Sequence, residues 1–353
     1  MRPVHHFAFN SLFGFLVLVT SSLSLLAAPS ASAQPGSAGF YDEAIAAYKL
    51  REYETAFGHA LKAARDGDVR AQLLTGSMYN NGQGIEADYT KAVYWFQAAA
   101  DQNSNAARYA LGISYLNGQG IAQSLSTARQ LFTLAAGEGH TGAQVELGNM
   151  LAAGEGGPAD MSRAADLFET AAKAGHPEAQ FNLGVLHASG QERVQDMGLA
   201  TEWFRRAAEQ NHPDASYNLG LLYAEGKSVE KNYTLAAKWF KPAATAGIPE
   251  AQTALGFLYY NGTGVEQNEQ TAAKWFVEAA IRGDTLAQNR LARLYFLGKG
   301  VEKNIVSAYT WYEIARRAGM EDEQLSAVLE PELTPEVLSE AEKALDAWDS
   351  AGQ

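Results

Sequence analysis

The chain has no cysteine in 353 residues. No disulfide can staple it, no thiolate can act as nucleophile or metal ligand, and no lipid can be attached at a processed N-terminal cysteine. Basic residues are also in short supply: 27 Lys and Arg stand against 40 Asp and Glu, a net charge of −13. That balance disfavours nucleic acid and an anionic membrane surface as partners, and it favours solubility. Long apolar runs are missing as well. The run from Phe13 to Val19 falls far short of the roughly 18 residues that cross a bilayer, so no membrane insertion is expected. There is no G-x-S-x-G, no H-E-x-x-H and no Walker loop, which leaves nucleophilic, zinc-peptidase and nucleotide chemistry without a motif.

What the chain has instead is repetition. Gly76, Gly112, Gly148, Gly184, Gly220 and Gly256 are each 36 residues apart, and Ala292 takes the next place. Tyr79, Tyr115, Tyr223, Tyr259 and Tyr295 keep the same beat, as do Trp95, Trp203, Trp239, Trp275 and Trp311. A fixed period between 20 and 50 residues marks a stacked array of supersecondary units. Within one period, Ala272, Trp275, Phe276, Ala279 and Ala280 form the i, i+3, i+4, i+7, i+8 stripe of an amphipathic helix. Before that helix stand Asp88, Ser124, Asp160, Asp196, Asn232, Asn268 and Asn304, all N-capping residue types. Gly139, Gly175, Gly247, Gly283 and Gly319 follow it, with Asn103 and Asn211 as substitutes, where a left-handed residue ends a helix. Pro177, Pro213 and Pro249 suit the first turn of the next helix. A shorter helix precedes each loop with glycine at its middle, a cost of roughly 1 kcal/mol that only a close helix approach would offset. The unit is an αα-hairpin, the fold class is all-α, and each hairpin must stack on its neighbours to bury its stripe.

The pattern Ala-x-x-x-Leu-Gly-x-x-Tyr-x-x-Gly-x-Gly-Val, followed by Asp/Asn, Ala, Trp-Phe and Ala-Ala, resembles the Sel1-like repeat, a relative of the tetratricopeptide repeat. The resemblance covers seven 36-residue repeats over residues 71–320, with a degenerate capping repeat at 40–70 and capping helices at 321–353. It implies an α/α solenoid, a right-handed superhelix of hairpins that acts as a scaffold for protein partners. Secreted relatives act as adaptors or regulators, including regulators of envelope signalling proteins. The cysteine-rich branch of that family carries a bridge in each repeat. This chain has none, so the penicillin-binding or β-lactamase activity suggested for that branch is not expected here. Related arrays line a concave face with their first helices, which places a protein partner there. Two slots on that face vary between repeats: Ile113, Val185, Leu221, Phe257 and Arg293 occupy one, and Leu116, Tyr260 and Phe296 the other. These eight are the candidate partner-binding residues. The largest of them fall in repeats six and seven, and aromatics and arginine are the types enriched in binding hot spots.

Residues 1–33 read as a secretory signal peptide, with Arg2, the Phe13–Val19 run and Ala31-Ser-Ala33 as the cleavage motif. Residues 34–39 are a flexible lead. A periplasmic or secreted location is expected, with the mature chain starting at Gln34. The other chemical candidates are weak. His140, His176 and His212 are 36 apart, so stacked repeats would hold them too far apart to share a zinc; they read as structural turn residues. His187 replaces the repeated tyrosine and reads as a core substitution. Ser228-Val-Glu-Lys231 matches Ser-x-x-Lys but lacks the supporting elements of the serine acyl-enzymes and lies in a loop slot usually held by glycine. No catalytic residue, metal or cofactor is assigned. A cell-wall protein that binds or processes peptidoglycan is the alternative, for which the face offers aromatics without paired carboxylates. Repeat four breaks the Gly-x-Gly-Val pattern at Glu192 and Arg193, as drift or as a bend or contact point.

Overall fold

The structure is a computed structural model describing residues 37–351. The signal segment and residues 34–36 lie outside the described residues, while residues 37–39 of the expected lead belong to the first helix. Every α-helix of the repeated region has twelve or thirteen residues. The opening hairpin is α1 (Ser37–Lys49) and α2 (Tyr53–Arg65). Seven hairpins follow: α3 (Val69–Asn81) with α4 (Tyr89–Asp101), α5 (Asn105–Asn117) with α6 (Leu125–Gly137), and α7 (Thr141–Ala153) with α8 (Met161–Lys173). Then come α9 (Pro177–Ser189) with α10 (Met197–Glu209), α11 (Pro213–Glu225) with α12 (Tyr233–Thr245), α13 (Pro249–Asn261) with α14 (Glu269–Ala280), and α15 (Thr285–Leu297) with α16 (Ile305–Arg317). α17 (Glu323–Leu329), a 3-10 turn at Glu330–Glu332 and α18 (Pro335–Ala351) close the chain. The fold is an all-α, α/α solenoid. It divides into two compact units: residues up to Ala179 with Gln191–Arg193, and Gln180–Gly190 with the residues from Val194 onward.

The helix ends form where capping chemistry directs. All seven expected caps accept a backbone N–H through their side chains, at 2.9 Å for Asp88 and Lys91 N, for example. Asn103 and Asn211 adopt φ of 66° and 64°, as the glycines of that slot do. His140 and His212 cap the first helices α7 and α11: each Nδ1 accepts from the amide three residues on, at 3.1 and 3.3 Å. Their rings stack on Tyr109 and Phe181. The structural reading of these two histidines is thereby given a specific mechanism. Burial holds the His140 pKa below its ordinary value, which keeps the acceptor nitrogen unprotonated.

The mid-helix glycines have a direct cause. A Cβ added at Gly76, Gly112, Gly148, Gly184, Gly220 or Gly256 would lie 2.5–2.8 Å from a ring carbon of the phenylalanine on the paired helix. Phe132, Phe204 and Phe276 are fully buried in that position. Each glycine thus makes room for one aromatic ring, and the packing gained outweighs the lost helix propensity. The second loop glycine is equally constrained. At Gly264 (φ +73°) a Cβ would meet the Tyr233 carbonyl carbon at 2.4 Å, so the loop rests on the backbone that opens the preceding second helix.

The tryptophans are placed differently from expectation. The stripe suggests them as the core, whereas Trp95, Trp203, Trp239, Trp275 and Trp311 are only partly buried and the next residue, a phenylalanine in the first four and Tyr312 in the last, holds the centre. Within the second unit each apolar cluster spans a repeat boundary. Residues of α12 and α13 form one, and Trp275 from α14 closes it; residues of α14 and α15 form the next, closed by Trp311. Buried glutamines reinforce the same junctions: Gln252 Nε2 donates to the Ala244 carbonyl at 2.9 Å and Gln288 to Ala280 at 3.1 Å. In the first unit Gln72 and Gln144 make the equivalent bonds to Ala64 and Ala136. At the C-terminus, Thr334 caps α18, Ala341 and Leu345 are buried, and Trp348 meets Trp311 edge-on at 5.3 Å.

Candidate functional site

The first helices α3, α5, α7, α9, α11, α13 and α15 carry the variable slots. The structure brings the candidates to one side of their helices but commits several to the chain itself. Ile113 is buried, at 8% exposure, which removes it from direct contact with a partner. Leu116, Val185, Leu221, Phe257, Tyr260, Arg293 and Phe296 are half-buried. Arg293 is already paired. Its Nε and Nη2 donate to Asp322 at 2.9 and 2.7 Å, and Asn289 adds a third bond at 2.9 Å. Asp322 also caps α17 through Leu325 N. Burial pushes this carboxyl up, but the bonds from Asn289, Leu325 and Arg293 outweigh it and hold the pKa below the ordinary value. Arg293 therefore docks α17, a role that its slot alone does not reveal.

The three candidate aromatics of repeats six and seven each carry a cation. The Arg290 guanidinium lies 4.9 Å from the Phe257 ring centroid, Lys299 Nζ 5.6 Å from Tyr260, and Lys303 Nζ 5.4 Å from Phe296. Phe257 meets Phe276 edge-on, Tyr260 packs on the α14–α15 cluster, and Phe296 packs on the cluster of Leu325 and Leu329. The surface is thus an aromatic floor under cations, of which Lys299, Lys303 and Arg293 pair with Glu269, Glu332 and Asp322, while Arg290 has no such partner among the described residues. In the first unit the slot equivalent to Arg290 holds Glu146. Burial first, then Glu178 and Glu155, push its pKa up to about 7.

The remaining candidates resolve into local structure. Ser228 has φ of 59° in the glycine slot, and its hydroxyl shares a hydrogen bond with Thr201 Oγ1 at 2.6 Å, while Lys231 lies over the Tyr233 ring. His187 Nδ1 is 3.2 Å from the Val194 carbonyl, so this tyrosine substitute is half-buried and contacts the irregular loop. In that loop Glu192 adopts φ of 54°, and Arg193 takes the place of the apolar loop residue. Arg193 pairs with Asp166 at 2.8 Å and Glu169 at 3.0 Å, and the displaced Val194 is 85% exposed. No helix among the described residues is long and apolar enough to cross a membrane.

The Sel1 repeat profile matches residues 69–104, 105–140, 141–176, 177–212, 213–248, 249–284 and 285–320 without a gap. The chain belongs to the Sel1 repeat family. A solved Sel1 repeat protein from Oxalobacter formigenes is 31% identical, with a TM-score of 0.61 over 84% of this chain and 88% of that one. A protective antigen of uropathogenic Escherichia coli with an SLR fold is 26% identical, with a TM-score of 0.43 over 88% and 84%. A Sel1 repeat protein from Klebsiella pneumoniae is 25% identical, with a TM-score of 0.40 over 57% and 98%. No curated protein matches the sequence.

Within the Sel1 frame, two features of the face stand outside the variable slots. The glutamine after the first alanine of several repeats (Gln72, Gln144, Gln180, Gln252 and Gln288) is buried, and a polar residue recurring beside a buried alanine was the signal for it. Arg290 was the other. It stands three residues before the slot of Arg293, where the other Sel1 repeats hold Leu74, Ala110, Glu146, Asn182, Asn218 and Ala254.

Proposed function

We propose that this Sel1 repeat protein is a non-catalytic adaptor that works outside the cytosol and holds a protein partner on the face made by its first helices. One observation carries the reading. The packing slots repeat faithfully, while the face slots vary and gather half-buried aromatics under cations in α13 and α15. Packing within the repeat does not require that combination, whereas rigid aromatic and basic anchors are what protein hot spots use. The family supports a scaffold role, and the resemblance to secreted relatives supports an envelope or signalling partner.

Replacing Tyr260 and Phe296 together by alanine tests the surface. Hot-spot truncations cost about 2 kcal/mol or more each, so recovery of the partner from periplasmic extract should fall by at least about a hundredfold. Because both rings also touch neighbouring apolar clusters, some loss of thermal stability is expected, and binding is to be compared below the melting range. The control pair Lys274→Ala and Glu278→Ala removes an exposed lysine and the half-buried partner of Arg282 on α14, and should leave binding unchanged. Wild-type recovery by the Tyr260/Phe296 variant would move the site off this face. Export is tested separately: mass spectrometry of the secreted chain should find Gln34 at its N-terminus, and retention of residues 13–19 in a membrane fraction would refute cleavage.

A further inference from the structure

Arg290 carries a charge that the described chain does not neutralise. Its Nε is buried and meets no acceptor. Its guanidinium carbon lies over the Phe257 ring, 4.9 Å from the centroid, a contact that supplies no carboxylate. Asp322, the one carboxylate whose charge acts on Arg290, is already engaged by Arg293, Asn289 and Leu325 N. Burial, and then repulsion from Arg293, hold the Arg290 pKa below the ordinary arginine value. A half-buried cation without a counter-ion is costly, and the same guanidinium offers a planar fork matched to a carboxylate.

Its setting points to the kind of ligand. Leu286, Arg290, Arg293 and Leu297 fall at i, i+4, i+7 and i+11, one stripe of α15. Leu286 and Leu297 are 43% and 56% exposed, so an apolar residue stands at each end of the basic pair. Tyr260 on α13 acts on Arg290 from the neighbouring helix, and Lys299 from the loop after α15 lies over its ring while pairing with Glu269. We propose that Arg290 is the anchor for a carboxylate side chain of the protein partner, presented by an acidic peptide segment with apolar residues on either side of the acid. This rests on the adaptor reading above and names the partner's chemistry.

The test uses the full chain and a fluorescent, C-terminally amidated octapeptide bearing two glutamates flanked by leucines, followed by anisotropy. A second peptide carries glutamines in place of the glutamates. The glutamate peptide should bind at least tenfold more tightly than the glutamine peptide, and Arg290→Gln should abolish that difference while the melting temperature holds. Arg290→Lys keeps the charge and most of the stem but loses the fork, so it should retain only part of the preference. In the wild type, the Arg290 Nε–H resonance should shift on adding the glutamate peptide. Equal binding of the two peptides, or binding of neither, overturns the proposal. So does an unchanged preference in Arg290→Gln. Displacement of the peptide by millimolar inorganic phosphate but not by millimolar acetate would assign the site to phosphate and overturn the carboxylate assignment. Should Arg290→Gln recover the partner at wild-type strength while the Tyr260/Phe296 variant loses it, the adaptor surface stands and the carboxylate anchor falls.

Discussion

At Glu146 the chain holds a half-buried acid that its repeat frame does not demand, since Ala110 and Ala254 fill the same slot. The group has a pKa of about 7 against an ordinary 4.5, because burial first and then Glu178 and Glu155 disfavour the anion. Between those values the folded chain binds more proton than the unfolded one. The contribution to stability is therefore fully present below about pH 4.5 and is lost as the pH rises through about 7. Glu146→Gln removes that slope. Its melting temperature should exceed that of the wild type by at least about 2 °C at pH 8.5, and the gap should narrow at pH 5.5; a gap independent of pH would show that Glu146 does not titrate in this range. At this scale the capping residues were legible because a short polar side chain before an apolar stripe has one main use. The pairing of Arg293 was not. Its partner Asp322 lies beyond the last repeat, so the period that organises every other slot is silent about it.

A single helix shows why the stripe was readable and its centre was not. Trp275 and Phe276 are adjacent on α14, and a 3.6-residue periodicity places both on the buried side without ranking them. The glycine decides. Gly256 has no side chain because the Phe276 ring occupies the space, so Phe276 is fully enclosed while Trp275 lies between neighbouring helices and stays partly exposed. Phe276→Ala should accordingly cost about 3–5 kcal/mol, and Trp275→Ala less, about 1–3 kcal/mol, since part of the indole never leaves water. Urea denaturation of the two variants measures both. A larger loss at Trp275 would mean that the junction between repeats, and not the interior of the hairpin, dominates helix stability. The same logic separates α17 from the other helices. It is seven residues long and held by Asp322 and two buried leucines, outside any repeated pattern. Residues 321–353 could be read from sequence as capping helices, but the anchor that seats the first of them could not.

Across the chain, stability is a sum of hairpins and junctions, and each compact unit owns its clusters. Trp95 belongs to the first unit, and Trp203, Trp239, Trp275, Trp311 and Trp348 to the second. Tryptophan emission thus reports mostly on the second unit, while circular dichroism reports on both. Phe132→Ala, in the first unit, should lower the onset of helix loss but leave the main fluorescence midpoint near that of the wild type. Coincident shifts in both signals would show one cooperative block. The junction bonds carry a consequence of another kind. Gln252 reaches the carbonyl of Ala244, and an alanine equally buried, Ala208, stands one period earlier. Excising residues 213–248 would join His212 to Pro249, offer Gln252 the same acceptor chemistry, and bring Trp275 to the same kind of cluster. Length in this protein is a copy number. A gene can add or drop a whole hairpin without inventing a new seam, and the reach of the binding face would change while its construction rules stayed the same.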